Sequence, residues 1–496
     1  MAKTLSKHND HYLSLIAIVF FITFLCKLFL LKEKNNANEK VVVRIDIQSR
    51  QQKQSIEKFL PAGIDLDNKK YLEASVNWKQ FFFLQKIGLN PALQIEVDRN
   101  EIIDPQFHTF TQFDYLVRSL KRDYPAIVHI EQIGTGSVEG LPIWGIKISD
   151  NPTVNENEPA ILLTAVHHAQ EPLGLELCLY LMDYLCSNYE HNKRVTKWIE
   201  EVEIWFVPVI NPDGFYLIMD GSKSLHFWRK NLRDNNLNSV FDPETDGIDL
   251  NRNYDYNWHK EGDPNCESWH YRGPFPFSEK ETQAIRNLTL RENFVFNLDF
   301  HSHGEVILYP WDNELPPADI DFVKKLANQI AVQIQKKDGP KSYEIRPLNG
   351  NLGQCSVWMH GKAGVQSFTV EMGDSHLPAG RDISRIILEN ANGAFFVLDR
   401  LFQGAIKGTV RNGYTSKPIR AEIVIEKYAS PHIANPVSDS QSGFYYRVME
   451  PGKHTIRFRS PGYRTKIYRA VKITHDDVLT LDVELYPFQH GYSTEN

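Results

Sequence analysis

The hydrophobic positions of this chain fall into runs whose spacing changes along its length. In the first hundred residues they read strand, helix, short strand, strand, helix, strand, as VVVRIDI, RQQKQSIEKFL, IDL, YLEASV, WKQFFFLQKIG and LQIEV. Ser49 and Asn77 precede the two helical runs as candidate N-caps. The pattern predicts a small βαββαβ module over residues 41–103, which is either an inhibitory segment or simply a packing domain.

A second pattern begins near residue 107. The stretch FTQFDYLVRSLKRDYP has apolar residues at helical spacing, and the strand-like runs IVHIEQIGTG and LPIWGIKIS follow it. Three more apolar runs, AILLTAV, VEIWFVPVI and NFVFNLDF, alternate with helical stretches such as LGLELCLYLMDYLCSNY. This alternation predicts an α/β layer fold for residues 107–403, with a mostly buried mixed sheet flanked by helices.

The last part of the chain, residues 405–488, is rich in short strand-like runs. They are IKGTV, IRAEIVIEKY, GFYYRVM, HTIRFRS and VLTLDVELY, and the turn sequences RNG, QSG and SPG separate them. We predict a small antiparallel β-sandwich here.

The start of the chain carries a targeting signal. Lys3 and Lys7 precede the apolar segment YLSLIAIVFFITFLCKLFLL, residues 12–31, which contains Lys27. A cleaved signal peptide and an uncleaved anchor both fit this pattern. We favour an anchor followed by a linker over residues 1–40, because no small-x-small cleavage site follows cleanly. The remainder of the chain then lies outside the cytoplasm, either tethered or, after cleavage, secreted or periplasmic.

Composition narrows the functional classes. With 496 residues and 42% hydrophobic content the chain is globular and long enough for two or three domains. A net charge of −7 gives no electrostatic reason to expect a nucleic-acid partner. The five cysteines form no CxxC pair, and Cys178 and Cys186 lie in an apolar helical run where we expect them to be buried.

Polar residues follow three of the apolar runs at the point where each ends. The stretch LLTAVHHAQEPLGLE places Glu171 three residues after His168, which is a spacing that two metal ligands can have. A catalytic zinc needs three protein ligands and one open position, and in α/β sheets chemistry gathers at strand ends. The third ligand is then His301 or His303 of HSHGE. We favour His301 because it ends its strand directly.

Three other segments carry polar residues suited to such a site. The stretch GIDLNRNYDYNW places Asp249 two residues before Asn251 and Arg252, and HFWRKN supplies Arg229. Glu371 lies in the apolar strand SFTVEMGD, where an unpaired carboxylate would be costly to bury. From local sequence alone, Arg229 is as readily a solvated loop charge, and Asp249 and Asn251 as readily bind loop backbone.

Taken in order, these segments resemble the zinc carboxypeptidase family of the carboxypeptidase A, B and D type. The matching segments within residues 107–403 are HHAQEP, NPDG, FWRKN, DLNRN, YRGPFPFSEKET, FHSHGEVILYPW and FTVEMGD. The resemblance implies a mixed eight-stranded sheet flanked by helices. The segment 405–488 resembles the transthyretin-like domain that follows the catalytic domain in the carboxypeptidase D-like branch.

The resemblance also implies a metal centre with one Zn²⁺ per chain. His168, Glu171 and His301 would be the ligands. Asp249 would orient the imidazole of His168 and raise its basicity.

The same resemblance implies that four residues act on the substrate. Glu371 would be the general base for zinc-activated water. Arg229 would stabilise the oxyanion, and Asn251 and Arg252 would bind the terminal carboxylate of the substrate.

The chain departs from the family at several positions. Gln170 stands where the family usually has arginine. The substrate-capping tyrosine is replaced by Asn349 or, if the loop is gapped, by Arg346, so that either another residue such as Tyr343 caps the substrate or capping is absent. Ser356, at the position that usually sets side-chain preference, is small and uncharged.

We therefore expect an exported, monomeric zinc metallocarboxypeptidase that acts on peptides or proteins with a free C-terminal carboxylate. Two alternatives stay open. One is a carboxypeptidase or amidase of the same fold that trims cell-wall peptides, and the other is a catalytically silent peptide-binding homologue.

Overall fold

A computed structural model describes residues 41–46, 71–76, 91–93, 103–104, 106–221, 225–313, 315–339 and 341–488. The first strands, β1 (Val41–Asp46), β2 (Tyr71–Val76) and β3 (Pro91–Leu93), form an antiparallel sheet in the order β2-β1-β3. Strands thus occur at VVVRIDI and YLEASV, whereas both predicted helices of this module lie outside the described residues. The predicted anchor, residues 12–31, also lies outside them. In the described part, no helix combines the length and apolarity needed to cross a membrane.

The central sheet has eight strands in the order β10-β9-β11-β8-β6-β7-β5-β4. The strands are β4 (Val128–Thr135), β5 (Pro142–Ile148), β6 (Ala160–Ala165), β7 (Glu203–Val207), β8 (Phe296–His301), β9 (Val306–Tyr309), β10 (Glu344–Pro347) and β11 (Gln366–Glu371). Neighbours from β7 through β6 and β8 to β11 run parallel, and antiparallel pairs flank this block. The predicted mixed eight-stranded sheet is therefore confirmed.

Helices flank this sheet. They are α1 (Phe110–Asp123), α2 (Leu173–Asn188), α3 (Lys193–Glu201), α4 (Pro212–Tyr216), α5 (Trp258–Glu261), α6 (Lys280–Glu292), α7 (Ile320–Ala331), α8 (Cys355–Trp358) and α9 (Gly380–Arg400), with π-helical turns at Leu217–Gly221 and Met359–Ala363 and 3₁₀ turns at Leu250–Arg252 and Glu426–Tyr428. The helix α1 begins with a capping box, in which the Thr109 hydroxyl accepts the Gln112 N–H and the Gln112 side chain accepts the Thr109 N–H.

Burial explains why the predicted strands read as continuous apolar runs. Every residue of β6, β7 and β8 is buried, because parallel strands inside the sheet are covered on both faces. In α2 ten of sixteen residues are buried, and they include Cys178 and Cys186. Both thiols are free, and the prediction that they pack as small hydrophobes is confirmed.

The C-terminal strands form two further small sheets. The strands are β12 (Ala405–Asn412), β13 (Glu422–Ile425), β14 (Phe444–Val448), β15 (Gly452–Arg459), β16 (Lys466–Ile473), β17 (Val478–Thr480) and β18 (Val483–Leu485). One sheet has the order β13-β15-β16, and the other places β14 on one side of β12 and the short β17 and β18 on the other. The predicted β-sandwich is confirmed, and its pairs are antiparallel except that the short β17 and β18 pair with β12 in parallel. The likeness to a transthyretin-like domain stays a prediction.

Buried polar contacts join the C-terminal strands to the α/β region. The Arg447 guanidinium donates to the Gly364 carbonyl and lies 3.5 Å from Asp319 Oδ2. On the opposite oxygen of Asp319, His360 Nε2 lies at 3.1 Å. Arg447, Asp319 and His360 are all buried, so each needs its partners.

Two carboxylates beside α6 hold a loop that leads to the candidate site. The Asn231 side chain donates to Glu279 Oε2 at 2.8 Å and lies 3.4 Å from Glu281 Oε1. Its carbonyl oxygen accepts the backbone N–H of Ile248 at 2.8 Å, one residue before Asp249. All of these side chains are buried, so this polar cluster fixes the backbone that presents Asp249.

Burial raises the pKa of Glu281 from 4.5 to about 7, and Glu279 acts in the same direction. The N–H and hydroxyl of Ser137 bind the Glu281 carboxylate and oppose this rise only in part, while Glu279 itself is paired with Arg233 at 2.7 Å. Between pH 4.5 and about pH 7, the Glu281 carboxyl group therefore keeps a proton in the folded protein that it loses in the unfolded chain. The stability that this proton gives is complete below pH 4.5 and is lost as the pH rises to about 7.

We expect Glu281→Gln to flatten this decline, because a neutral amide has no proton to lose. The effect amounts to at most about 3 kcal/mol, measured as the change in melting temperature between about pH 5 and about pH 8. Glu201→Gln, an exposed change on α3, is the control and should follow the wild-type protein. Parallel melting profiles for wild type and Glu281→Gln would contradict the assignment.

Candidate active site

Three neighbouring parallel strands bring the candidate residues to one edge of the sheet. His168 and Glu171 lie in the short segment between β6 and α2, His301 is the last residue of β8, and Glu371 is the last residue of β11. His301 and Glu371 are direct partners in the pairing of β8 with β11. Carboxyl ends of parallel strands meet at the same edge, which explains how residues far apart in sequence come together.

A glycine allows this close arrangement. A Cβ atom at Gly174, in the first turn of α2, would lie 2.7 Å from the Cβ of Ala165 in β6 and 3.0 Å from the carbonyl oxygen of Phe300 in β8. Helix α2 therefore begins directly against the two strands, and the preceding segment is short enough to hold His168 and Glu171 over the sheet edge.

The side chains of His168, Glu171 and His301 converge. His168 Nδ1 lies 2.8 Å from Glu171 Oε1, and His301 Nδ1 lies 2.8 Å from Glu171 Oε2. The two Nδ1 atoms are 3.0 Å apart. All three side chains are buried, with relative exposures of 3%, 2% and 1%.

The other imidazole nitrogens face carboxylates. His168 Nε2 lies 3.3 Å from Asp249 Oδ1, and His301 Nε2 lies 3.1 Å from Asp299 Oδ2. A neutral imidazole that donates Nε2–H to a carboxylate leaves a lone pair on Nδ1. Two such lone pairs and a carboxylate, packed together and buried, need a proton or a cation among them. The donor set thus fits a divalent metal with nitrogen and oxygen preference, such as zinc.

Asp249 links the candidate ligands to Arg229. It begins the 3₁₀ turn Leu250–Arg252, and its Oδ1 accepts the backbone N–H of Asn251 at 3.0 Å. Arg229 Nε donates to Asp249 Oδ2 at 2.9 Å, and Arg229 Nη1 lies 3.7 Å from Glu171 Oε1. The guanidinium is therefore held beside the ligand set rather than solvated on a loop.

Asn251 and Arg252 lie on the same turn. Asn251 Oδ1 accepts the backbone N–H of Cys355 at 2.8 Å, so its amide group is fixed at the site. Arg252 Nη1 donates to the Asn251 carbonyl at 2.7 Å. Among the residues that the structure describes, Arg252 forms no ion pair, and burial lowers its pKa despite the nearby Asp249. A half-buried guanidinium without a bound carboxylate favours an anionic ligand.

Glu371 stands in a desolvated position next to the candidate ligands. Burial raises the pKa of Glu371 to about 7, and the Glu171 carboxylate contributes in the same direction, while His301 and Arg229 oppose it. A carboxylate whose pKa lies near neutrality can both accept and return a proton.

The structure limits the candidates for a substrate cap. Tyr343 is buried, and its hydroxyl accepts the Gly373 N–H at 3.0 Å and the Asn390 amide at 3.2 Å. Asn349 donates to Glu261 Oε2 at 2.7 Å, and Arg346 lies 3.1 Å from Glu344. Tyr343 therefore supports the segment after Glu371 from within the protein, which argues against the suggestion that it caps a substrate.

Several site residues escaped the sequence analysis. His167, Asp299 and Tyr254 form a fully buried cluster beside His301, and His270 Nδ1 lies 3.3 Å from Asp249 Oδ2. His376 Nδ1 lies 4.0 Å from Glu171 Oε1. The one available signal was position, because His167 adjoins His168 and Asp299 precedes His301 by two residues on one face of β8.

Comparison with known proteins agrees with this geometry. A family model described as zinc carboxypeptidase matches residues 114–393. The zinc carboxypeptidase of Saccharothrix mutabilis subsp. capreolus is 28% identical over 54% of this chain and 62% of its own length. The carboxypeptidase N catalytic chain of Mus musculus is 26% identical over 74% of this chain and 84% of its own length. Human carboxypeptidase D is 24% identical over 73% of this chain, which spans 25% of that protein.

Solved structures agree on the fold. Carboxypeptidase A from Helicoverpa armigera aligns with 72% of this chain and 96% of its own, at a TM-score of 0.54 and 22% identity. Thrombin-activatable fibrinolysis inhibitor aligns with 73% of this chain and 98% of its own, at a TM-score of 0.55 and 20% identity. Fold and site together define a metallopeptidase-like α/β protein. The chain belongs to the zinc carboxypeptidase family.

We expect Tyr343→Phe to destabilise the protein without weakening substrate binding, because it leaves the buried Gly373 N–H without an acceptor. The cost is about 1–3 kcal/mol, visible as a lower melting temperature, with an unchanged KM for a peptide substrate. Tyr414→Phe, at an exposed tyrosine, is the control for both measurements. A large rise in KM at unchanged stability would restore Tyr343 as a cap.

Proposed function

We propose that the protein is a zinc-dependent metallocarboxypeptidase that removes C-terminal residues from peptides or proteins. The convergence of His168, Glu171 and His301, whose three donor groups lie 2.8 to 3.0 Å apart, carries this proposal. We infer that one Zn²⁺ per chain is held by His168 Nδ1, His301 Nδ1 and the Glu171 carboxylate, with Asp249 orienting His168. When bound there, zinc supplies Lewis-acid chemistry that makes water easier to deprotonate and polarises the substrate carbonyl.

Glu371 performs the proton transfers. Its carboxylate, held near neutrality in pKa by burial, accepts a proton from the attacking water and later donates it to the leaving amine. The Arg229 guanidinium, fixed by Asp249 at 2.9 Å, stabilises the negative charge that develops on the carbonyl oxygen.

Asn251 and Arg252 select the substrate terminus. The Arg252 guanidinium binds the terminal carboxylate through two parallel N–H···O bonds, and the Asn251 amide donates another. An amidated terminus offers the guanidinium one acceptor oxygen and no charge, so the pocket discriminates against it. The reaction class is therefore exopeptidase rather than endopeptidase.

The remaining organisation is part of the same proposal. Residues 1–40 form an anchor or signal with its linker and place the rest of the chain outside the cytoplasm. Residues 41–103 form a packing or inhibitory module, residues 107–403 the catalytic domain, and residues 405–488 a transthyretin-like support. The N-terminal apolar segment and the order of the strand patterns support this division.

The reaction class is tested with N-terminally blocked peptides, each supplied as a free acid and as its C-terminal amide, ending in an L- or a D-residue. We expect the purified protein to release the last residue only from free acids and only without a chelator, and Glu371→Gln to lose nearly all activity. Glu267→Gln, an exposed change, serves as the matched control. Release only from D-terminated cell-wall peptides would favour the trimming enzyme, and zinc binding without any release would favour the silent peptide-binding homologue.

The proposed binding of the substrate's terminal carboxylate by Asn251 and Arg252 predicts a separate effect on substrate binding. Arg252→Gln removes the charge that faces the terminal carboxylate and should raise KM for free acids by about 100-fold, corresponding to the loss of about 3 kcal/mol. The KM of Arg252→Lys should lie between those of this variant and the wild type, because lysine keeps the positive charge but lacks the two parallel N–H donors of the guanidinium. Arg118→Gln, at an exposed arginine of α1, is the control. An unchanged KM in Arg252→Gln would exclude Arg252 as the anchor.

A further inference from the structure

We propose that Asp299, His167 and Tyr254 form a buried positioning chain that fixes the metal ligand His301 and ties it to the turn carrying Asn251 and Arg252. The inference rests on the proposed zinc site, and it concerns residues that do not contact metal or substrate themselves.

Hydrogen bonds form a continuous path along these residues. The Tyr254 hydroxyl lies 2.8 Å from His167 Nε2, and His167 Nδ1 lies 2.9 Å from Asp299 Oδ1. The other oxygen of Asp299 lies 3.1 Å from His301 Nε2. Tyr254, His167 and Asp299 have no solvent exposure, and the rings of His167 and His301 stack at 5.5 Å with planes 11° apart. Such a path holds His301 by two contacts, one polar and one through its ring face.

With neutral imidazoles, and although Asn251 Nδ2 also lies 3.3 Å from His301 Nε2, the path is satisfied by the following donors and acceptors. The tyrosine hydroxyl donates to His167 Nε2, and His167 Nδ1–H donates to Asp299 Oδ1, which also accepts the Thr164 hydroxyl at 2.8 Å. Asp299 Oδ2 then accepts His301 Nε2–H, which leaves the lone pair of His301 Nδ1 directed at the metal position. A buried carboxylate that accepts the N–H of a ligating imidazole fixes its tautomer and raises its basicity.

The same residues do not make a second metal site. His167, Asp299 and Cys355 lie close enough for their donor atoms to share an ion. Both ring nitrogens of His167 are already hydrogen-bonded, however, and burial raises the pKa of the Cys355 thiol well above its ordinary value, so that it stays protonated. Metal ligation would require breaking these bonds in a fully buried space.

The far end of the chain reaches the carboxylate-binding turn. Tyr254 follows Arg252 by two residues, and its backbone N–H donates to the Gly353 carbonyl at 3.0 Å. The Cys355 N–H donates to Asn251 Oδ1 at 2.8 Å. One connected set of bonds therefore joins the metal ligand His301 to the segment that orients Asn251.

The two carboxylates behind the ligands differ in their surroundings. Asp249 contacts the charged Arg229 and the partly exposed His270. Asp299 contacts only a hydroxyl and two imidazoles among the described residues. Because no cation shares the charge of Asp299, its carboxylate interacts more strongly with His301. Neutralising Asp299 should therefore weaken the binding of metal at the site.

The test measures the zinc dissociation constant of the full chain by competition with a chromophoric chelator, together with the visible spectrum of the cobalt-substituted protein. We expect Asp299→Asn to raise the zinc dissociation constant by about 10- to 100-fold and to shift the cobalt bands. Tyr254→Phe should raise the constant by clearly more than about threefold, because His167 loses the partner that sets its tautomer. Tyr254→Phe should also raise KM for free-acid peptides more than it lowers kcat.

Asp319→Asn is the matched control. Asp319 is a buried carboxylate bonded to a histidine, His360, as Asp299 is, but it lies at the contact with the C-terminal strands. We expect it to lower the melting temperature while leaving zinc affinity and the cobalt spectrum unchanged.

The outcomes separate the inference from the proposed function. If wild-type protein binds no zinc, the proposed function fails. If wild type binds one zinc and neither folded variant changes its dissociation constant by more than about threefold, the positioning chain is wrong while the metal site stands. If Asp299→Asn does not fold, Tyr254→Phe decides by the same threshold.

Discussion

The convergence of His168 Nδ1, His301 Nδ1 and the Glu171 carboxylate is the constraint on which the site depends. Lone pairs packed at 2.8 to 3.0 Å in a buried space are unfavourable unless a proton or a cation lies among them. The surrounding structure nevertheless holds them there, through the parallel strands β6 and β8, the close start of α2 at Gly174, and a carboxylate behind each imidazole. The fold thus fixes the donor atoms in place, and because a metal must displace any proton held among them, metal binding at this site depends on pH.

Arg229, Arg252, Glu371 and the ligands share one electrostatic system. Burial disfavours the charged form of each group, which accounts for the raised pKa of Glu371 and for the lowered pKa of Arg252. The site therefore has a general base close to neutrality and a guanidinium that gains from an incoming carboxylate. Neither property belongs to a single residue, and both follow from the shared desolvation.

The sequence predicted the central sheet and singled out His168, Glu171 and His301, which converge in the structure. The two predictions rested on different features of the chain. Continuous apolar runs identified β6, β7 and β8 because buried parallel strands leave no polar face. His301 was distinguishable from His303 because it ends a strand. His167 and Asp299 escaped prediction, since their importance depends on cross-strand pairing and on ring stacking, neither of which has a local signature. Tyr343 was suggested as a cap only because it lies near the expected position in the sequence. That position does not reveal that its hydroxyl is buried and hydrogen-bonded to Gly373 and Asn390.

The buried contact of Arg447 with Asp319 has a consequence for how the molecule unfolds. Arg447 belongs to β14, whereas Asp319 precedes α7 of the α/β region, and both are inaccessible to solvent. Replacing either partner while the other stays buried would leave that charge without its counter-charge, at a cost of about 3–5 kcal/mol. The contact therefore links the stability of the α/β region to that of the C-terminal strands, and cutting the chain between α9 and β12 would remove the guanidinium partner of Asp319 and the donor to the Gly364 carbonyl.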